Sequence, residues 1–530
     1  MYPSATLSKR ATTAVIATAA IAGLALIPNG AAFAAPAAKS CETRNNNTVQ
    51  KLLECVGSDG AMEHLEALQA IADENGGNRA AGLPGYEASV DYVVETLEDA
   101  GWNVSIETFD YDFIGDSTLT QLTPVVADYP TGAFTGSGDG DVTAAVVPVD
   151  INLTPPRAST SGCEAADFAG FPAGSIALVQ RGSCNFGDKA FFAEQAGAVG
   201  VIIFNQGNTP DREGLVVADA SSRTDGTPVA HNIPVVGASF AQGVALAEPG
   251  SSAHVFVPAP DPRPQKNIIA ELPGTNDDNV VMAGAHLDSV REGAGISDNG
   301  SGSAALLEIA QQMSKVKPQN TVRLAWWGAE EDGLLGSAAY VAALSQAQKD
   351  EIALYLNFDM IASPNYMFMI YDGDESGFEA PVTVPEGSVQ IEKLFESYFT
   401  GAGVPYDDAE FSGRSDYEAF ILNGIAAGGL FTGADAIKTV EQQAIWGGEV
   451  GEMLDQCYHQ ACDDLDNVDE YALDVNVDAI AFAVLAYAYS TESVNGVVGK
   501  PVPGGLSLPV PAGPEGTVGS GGGHAHGDVG

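Results

Sequence analysis

Between Ala61 and Ala100, apolar residues recur three and four positions apart in MEHLEALQAIA and again in YEASVDYVVETLEDA. That period predicts two amphipathic helices, joined by the compact turn GGNRAAGLPGY. NVSIETFDYDF then alternates like a strand. From about 118 to 263 the helical period is lost and Val, Gly, Pro and Thr dominate, which predicts an inserted β-rich domain. From Asn267 onward strand-like and helix-like runs take turns: NIIAEL, VVMAGAHLDS, SGSAALLEIAQQM, TVRLAWW, SAAYVAALSQ and IALYLNFDM. The helical VQIEKLFESYF, the strand-like IAAGGLF and a helical stretch over 475–489 close the series. Such alternation predicts an α/β domain whose mixed, largely parallel central sheet is flanked by helices. In open sheets of this kind ligands bind beyond the carboxyl ends of the strands, so polar residues just after these strands are the candidates for chemistry.

The ends read differently. Residues 1–34 join Lys9 and Arg10, an apolar run from Ala11 to Ile27 and the small-residue triplet Ala32, Phe33, Ala34, the pattern of a secretory signal peptide. A membrane anchor is the alternative, but an Ala/Thr-rich run followed by a cleavage-type site favours export. No later stretch reads as long and apolar enough to span a bilayer. The tail, 497–530, turns to Gly, Pro and Val and ends GSGGGHAHGDVG, so it is expected to be flexible, with His524 and His526 solvated rather than ligating. The domain reading is therefore a leader over 1–34, one domain in two segments (35–117 and 264–496), the insert over 118–263 and the tail.

Composition narrows the class. The 530 residues carry 22 Lys and Arg against 70 Asp and Glu, a formal net charge of −48, which argues against a nucleic-acid backbone or an anionic membrane as partner. With 45% hydrophobic and only 17% charged residues, the chain is a folded acidic protein rather than a disordered polyanion. All six cysteines follow the leader in three local pairs: Cys41 with Cys55, Cys163 with Cys184, and Cys457 with Cys462. In an exported chain that suggests three short-range disulfides, although six cysteines allow 15 connectivities. Zinc–cysteine sites are disfavoured, because no doubled Cys-x-x-Cys spacing is present. Asn46, Asn103, Asn152 and Asn299 start Asn-x-Ser/Thr sequons, which are frequent by chance.

Chemistry-bearing residues gather at three successive strand ends. His286 and Asp288 end VVMAGAHLDS, Asp298 follows in SDNGSG before a helix, Glu330 and Glu331 follow TVRLAWWGA, and Asp359 closes IALYLNFDM. His459, in CYHQAC, comes from far along the chain, in a loop that a Cys457 to Cys462 bridge would hold rigid. Histidine with carboxylates is the ligand set of hydrolytic zinc, and a carboxylate between two ions is the two-metal arrangement. Taken singly, each acid would read as a helix cap or a surface charge.

AGAHLDSV, SDNGSG, WWGAEEDGLLGS, NFDM, FSGRSDYEAF and CYHQACDD resemble the secreted bacterial M28 zinc aminopeptidases of the Streptomyces type, over roughly 61–113 and 264–492. The resemblance implies the zinc exopeptidase fold, with one zinc on His286 and Asp359, the other on Glu331 and His459, and Asp298 bridging them. Glu330 would be the general base, and Asp288 would accept the free N–H of His286, with an Asx turn or cap as its alternative. Tyr458 would stabilise the tetrahedral oxyanion or merely pack. Arg414 would contact substrate or only pair with Asp416. Glu330 and Asp359 would read the free α-amine, and Phe431 would belong to an apolar pocket favouring Leu, Phe or Met, unless its strand is simply core.

SGCEAADF, GSIALVQRGSCNFGDKAFFAEQAGAVGVIIFNQ and NIPVVGAS resemble a protease-associated (PA) domain, which would cover the active-site mouth, bind substrate, or act as an inert cap. Relatives can also hold calcium, for which Asp474 and Asp478, four apart on a predicted helix, offer carboxylates. The N-terminal segment that would complete that site carries Cys41 and Cys55 instead, so solvated helix charges are the simpler reading. The expectation is a secreted, monomeric dizinc aminopeptidase acting on peptide N-termini. A single-zinc glutaminyl cyclase and a non-catalytic binding protein on the same fold are the competing readings.

Overall fold

The computed structural model describes residue 41 and residues 43–518. The leader over 1–34, His524 and His526 lie outside the described residues. In chain order the strands are β1 (Asn103–Phe113), β2 (Thr118–Thr123), β3 (Ala127–Tyr129), β4 (Gly140–Pro148), β5 (Ile176–Gln180), β6 (Gly200–Phe204), β7 (Val235–Ala238), β8 (Ser252–Val257), β9 (Asp261–Leu272), β10 (Asn276–His286), β11 (Asn320–Trp327), β12 (Ile352–Phe358), β13 (Met369–Tyr371), β14 (Asp407–Ala409) and β15 (Ala427–Phe431). They form an eight-stranded sheet in the order β1-β9-β11-β10-β12-β15-β13-β14 and a seven-stranded sheet in the order β3-β2-β8-β4-β5-β6-β7.

The larger sheet is mixed, with β11, β10, β12 and β15 parallel at its centre. These strands are near-continuous apolar runs because helices cover both faces, leaving no solvated side on which polar residues would alternate. The predicted helices are present: Ser58–Glu74 and Pro84–Asp99 on either side of the Arg79 turn, then Ser301–Met313, Leu335–Ala343, Ser388–Ala402 and Glu470–Tyr489. Glu470–Tyr489 corrects one expectation, since at 20 residues it is long and apolar enough to cross a membrane. Most of it lies instead in the core, buried on every side over 479–489, while Glu470, Tyr471 and Asp474 in its first turns stay exposed.

The smaller sheet is the insert. β1 and β9 pair antiparallel from Asn103↔Glu271 to Phe113↔Asp261, so the chain leaves and re-enters the main sheet at one point and the insert hangs from it. Alongside its strands the insert holds two helices, Phe186–Gln195 and Phe240–Leu246, within a stretch that had shown no helical period. Cys163–Cys184 clips it, and Cys41–Cys55 and Cys457–Cys462 are bonded as paired in the sequence.

Two local expectations meet different facts, and the reading of the sequons as chance matches fits the structure. The tail is tied down as far as residue 518: Glu515 N–H donates to the Tyr406 carbonyl at 2.9 Å, and Gly516, Thr517 and Val518 N–H groups converge on the Asp407 carboxylate. Sequon residues Asn46 and Asn299 are 1% and 0% exposed, their amides donating to the carbonyls of Gln312 and Phe358, so neither is placed to carry a glycan. Asp474, one of the two calcium candidates, accepts the N–H and hydroxyl of Ser58 at 3.0 and 3.1 Å and so anchors the first long helix. Burial and the neighbouring Asp474 push the Asp478 carboxyl up to about 7.

Candidate metal centre

The sheet delivers the candidate residues to one edge. His286 is the last residue of β10, Glu330 and Glu331 follow β11, and Asp359 directly follows β12, three neighbouring strands whose parallel register puts their carboxyl ends side by side. Asp298 enters from the loop before helix Ser301–Met313, across a cis Asp298–Asn299 bond. His459 comes from the loop clamped by Cys457–Cys462 and itself has a left-handed backbone (φ 55). Ala329 and Met360, beside the ligand candidates, are also left-handed, at φ 57 and 52. Such conformations are costly for residues with a Cβ and persist where surrounding contacts over-determine them.

Two half-sites share one carboxylate. His286 Nε2 lies 3.2 Å from Asp298 Oδ1 and 3.3 Å from Asp359 Oδ1. His459 Nε2 lies 3.3 Å from Asp298 Oδ2 and 3.0 Å from Glu331 Oε2. Asp298 therefore turns one oxygen to each histidine. Glu330 Oε2 stands 4.0 Å from His286 Nε2, and its carboxylate lies close enough to His286 and Asp359 to serve as a ligand itself. Glu331 Oε1 is buried with no hydrogen-bond partner among the described residues, an acceptor aimed at the same space. Two imidazoles and four carboxylates, with one orphaned buried oxygen, fit a pair of divalent cations.

The electrostatics record this crowding. Burial alone would lower the His286 imidazole, but Glu330 and Asp359 hold it well above its usual range. Burial likewise opposes His459, yet its bonds to Asp298 and Glu331 bring it up to about 10. Burial and the Asp298 charge push Glu331 up to about 7, and burial drives Glu330 well above the carboxylate range.

Asp288 is placed otherwise than expected. His286 Nδ1 meets the Asp288 backbone carbonyl at 3.1 Å, while the nearer carboxylate oxygen is 3.8 Å away. The carboxylate instead accepts the N–H groups of Glu330 and Glu331 at 3.2 and 3.3 Å, so it holds the turn that aims both glutamates. Burial pushes this carboxyl up to about 6.

Arg414 does not pair with Asp416. It donates to Tyr458 Oη at 3.0 Å and faces Asp435 at 3.5 Å. Because the phenol oxygen accepts from Arg414, the Tyr458 hydroxyl proton is free to donate elsewhere. Its ring stacks on His459, centroids 3.9 Å apart, and burial raises its pKa. Phe431 lines a cavity of about 330 Å3 together with Met360, Tyr371, Glu410, Tyr458 and the ligand candidates, so it faces the site rather than only the core.

Several structural partners were not visible in the sequence. Asp463, two residues before Leu465, accepts the N–H groups of Ser297 and Asp298 at 2.7 and 3.0 Å and ties the His459 loop to the shared carboxylate. Its position in CYHQACDD was the available signal. Arg79 is fully buried and donates to the carbonyls of Leu287, Ala294 and Gly295, pinning the loop between His286 and Asp298. A lone arginine in a turn between two amphipathic helices was its only trace. Ser415 donates to Asp359 Oδ2 at 2.6 Å and accepts from Asn357.

Residues 267–484 match Peptidase family M28, and residues 142–246 match the PA domain. An aminopeptidase of Pseudomonas aeruginosa is 48% identical over 453 residues, spanning 84% of this chain and 83% of its own. Leucine aminopeptidase 2 of Trichophyton rubrum is 37% identical over 435 residues, spanning 81% and 84%. Among solved structures, a zinc aminopeptidase from Bacillus subtilis aligns with a TM-score of 0.63 over 81% of this chain and 94% of its own, at 24% identity, a likeness of fold.

Proposed function

This chain belongs to peptidase family M28 and is a metalloaminopeptidase with an inserted PA domain, and on that premise we propose that it is an exported, monomeric dizinc enzyme releasing N-terminal residues from peptides, with a preference for apolar ones such as leucine. The observation that carries the two-ion reading is Asp298, which offers Oδ1 toward His286 and Oδ2 toward His459. Asp359 would complete the first site and Glu331 the second. Three disulfides support a place outside the cell, where oxidising conditions keep them.

When bound, zinc held by these residues would supply Lewis-acid polarisation of the scissile carbonyl and acidify the attacking water. Glu330, buried beside His286, takes that water's proton and passes it to the departing amine. Tyr458, its oxygen already occupied by the Arg414 donor, turns its own O–H to the carbonyl oxygen as negative charge develops there. The carboxylates of Glu330 and Asp359 receive the free α-amine, and Ser415 holds Asp359 in the orientation this needs. Phe431 gives the apolar wall for the first side chain.

Hydrolysis of leucine p-nitroanilide and of its N-acetyl derivative by the zinc-loaded mature chain tests the reading. Cleavage of the free amine alone is expected; cleavage of both, or of neither with metal verified as bound, overturns it. Metal analysis separates the glutaminyl cyclase alternative, since two zinc ions per chain are expected here and one there.

A further inference from the structure

The cavity beside the ligand cluster has one charged wall residue with no assigned task. Glu410 follows β14 and is half-buried at that wall. Among the described residues its carboxylate makes no hydrogen bond or ion pair. Every other acid of the cavity is engaged: Asp298, Glu330, Glu331 and Asp359 face the two histidines.

The segment from Glu410 to Ser415 connects Glu410 to the reaction centre. At its far end Ser415 bonds Asp359 and Arg414 bonds Tyr458. Five residues reach at most about 17 Å when extended, and this segment is not extended, because Gly413 turns at φ 80 and its N–H folds back onto Tyr417 Oη at 2.9 Å. Glu410 thus shares a wall with the groups that receive the α-amine, with apolar surface from Phe431, Met360 and Tyr371 in the same cavity. Lysine and arginine side chains lay their methylene stems along apolar surface and keep the charged head at a polar rim. A carboxylate free of protein cations at such a rim is a receptor for that head.

We propose that Glu410 is a specificity-determining residue through which the enzyme also releases N-terminal lysine and arginine, the stem lying over the apolar wall that takes leucine and the cationic head meeting the Glu410 carboxylate. This inference rests on the aminopeptidase reading above.

The test compares kcat/KM for the p-nitroanilides of lysine, arginine and leucine in the zinc-loaded wild type, Glu410→Gln and Glu410→Leu. The expected result is that both variants lower the basic-to-leucine ratio by roughly tenfold, leucine turnover and melting temperature staying near wild type. An unchanged ratio overturns the proposal, as does an equal loss on all three substrates, which would put Glu410 in amine reading or in folding. Should the wild type hydrolyse none of them, the aminopeptidase reading fails by itself. Calorimetric binding of free L-lysine against L-leucine then reads Glu410 independently: weakening by E410Q confined to lysine supports the proposal, and equal affinity in wild type and variant overturns it.

Discussion

At the residue scale, two glutamates adjacent in sequence stand differently toward the histidines, and the proposed mechanism gives them different tasks. Glu331 reaches His459 at 3.0 Å, whereas Glu330 stops 4.0 Å from His286. Replacing Glu330 by Gln keeps its shape and removes its basicity, so kcat is expected to fall by about 10²–10⁴-fold with zinc content unchanged, measured by steady-state kinetics beside metal analysis. Loss of zinc instead would make Glu330 a ligand. A second carboxylate, Glu308, is 4% exposed in helix Ser301–Met313, away from the cluster. Burial raises it from 4.5 to about 7, with a Gln312 hydrogen bond opposing and the Glu63 charge adding. The folded chain therefore keeps a proton that the unfolded chain sheds, and stability is lost as pH rises from 4.5 through about 7. Glu308→Gln is expected to raise the melting temperature by about 2–4 °C at pH 8 and to leave it unchanged near pH 4, checked by paired thermal melts.

At the element scale, what matters is how loops from distant parts of the chain are fastened to the strand ends. The His459 loop is held by Cys457–Cys462, by Asp463 on the backbone of Ser297 and Asp298, and by Asn467 donating to both Asp455 and Asp463. Removing the bridge with Cys457→Ser/Cys462→Ser loosens His459 and leaves His286 and Asp359 in the sheet. Zinc is expected to fall toward one ion per chain, with activity lost and the melting temperature lowered by less than complete chelation lowers it, by metal analysis and calorimetry. Equal loss of both ions would place the rigidity elsewhere. The elements themselves were legible where burial is one-sided: the 3.6-residue period of Ser58–Glu74 follows from a half-buried surface, and in the largely exposed β1 the alternation matches burial only where Phe109, Tyr111 and Phe113 turn inward. The insert's helix Phe186–Gln195 was not, because buried residues surround much of it and blur the period.

At the scale of the whole molecule, the ligand cluster is a concentration of like charge inside the fold. On the proposed reading, four carboxylates within contact of two histidines would repel one another without bound cations, which would link metal binding to global stability. Chelation is expected to lower the melting temperature by several degrees and zinc to restore it, while Glu330→Gln lessens the drop; differential scanning calorimetry with and without chelator decides. The sequence by itself determined the alternation of strands and helices, the interruption after β1 and the residue types at three strand ends, because periodicity and local spacing carry that information over tens of residues. It also held the motifs that resemble the family. Only the tertiary structure decided that Asp288 grips the backbone of Glu330 and Glu331 rather than the ring of His286, that Arg414 turns to Tyr458 and Asp435, and that Asp407 takes the tail. Each of those choices is made among several acceptors within reach, and which one wins depends on distances across the packed chain that no local pattern encodes.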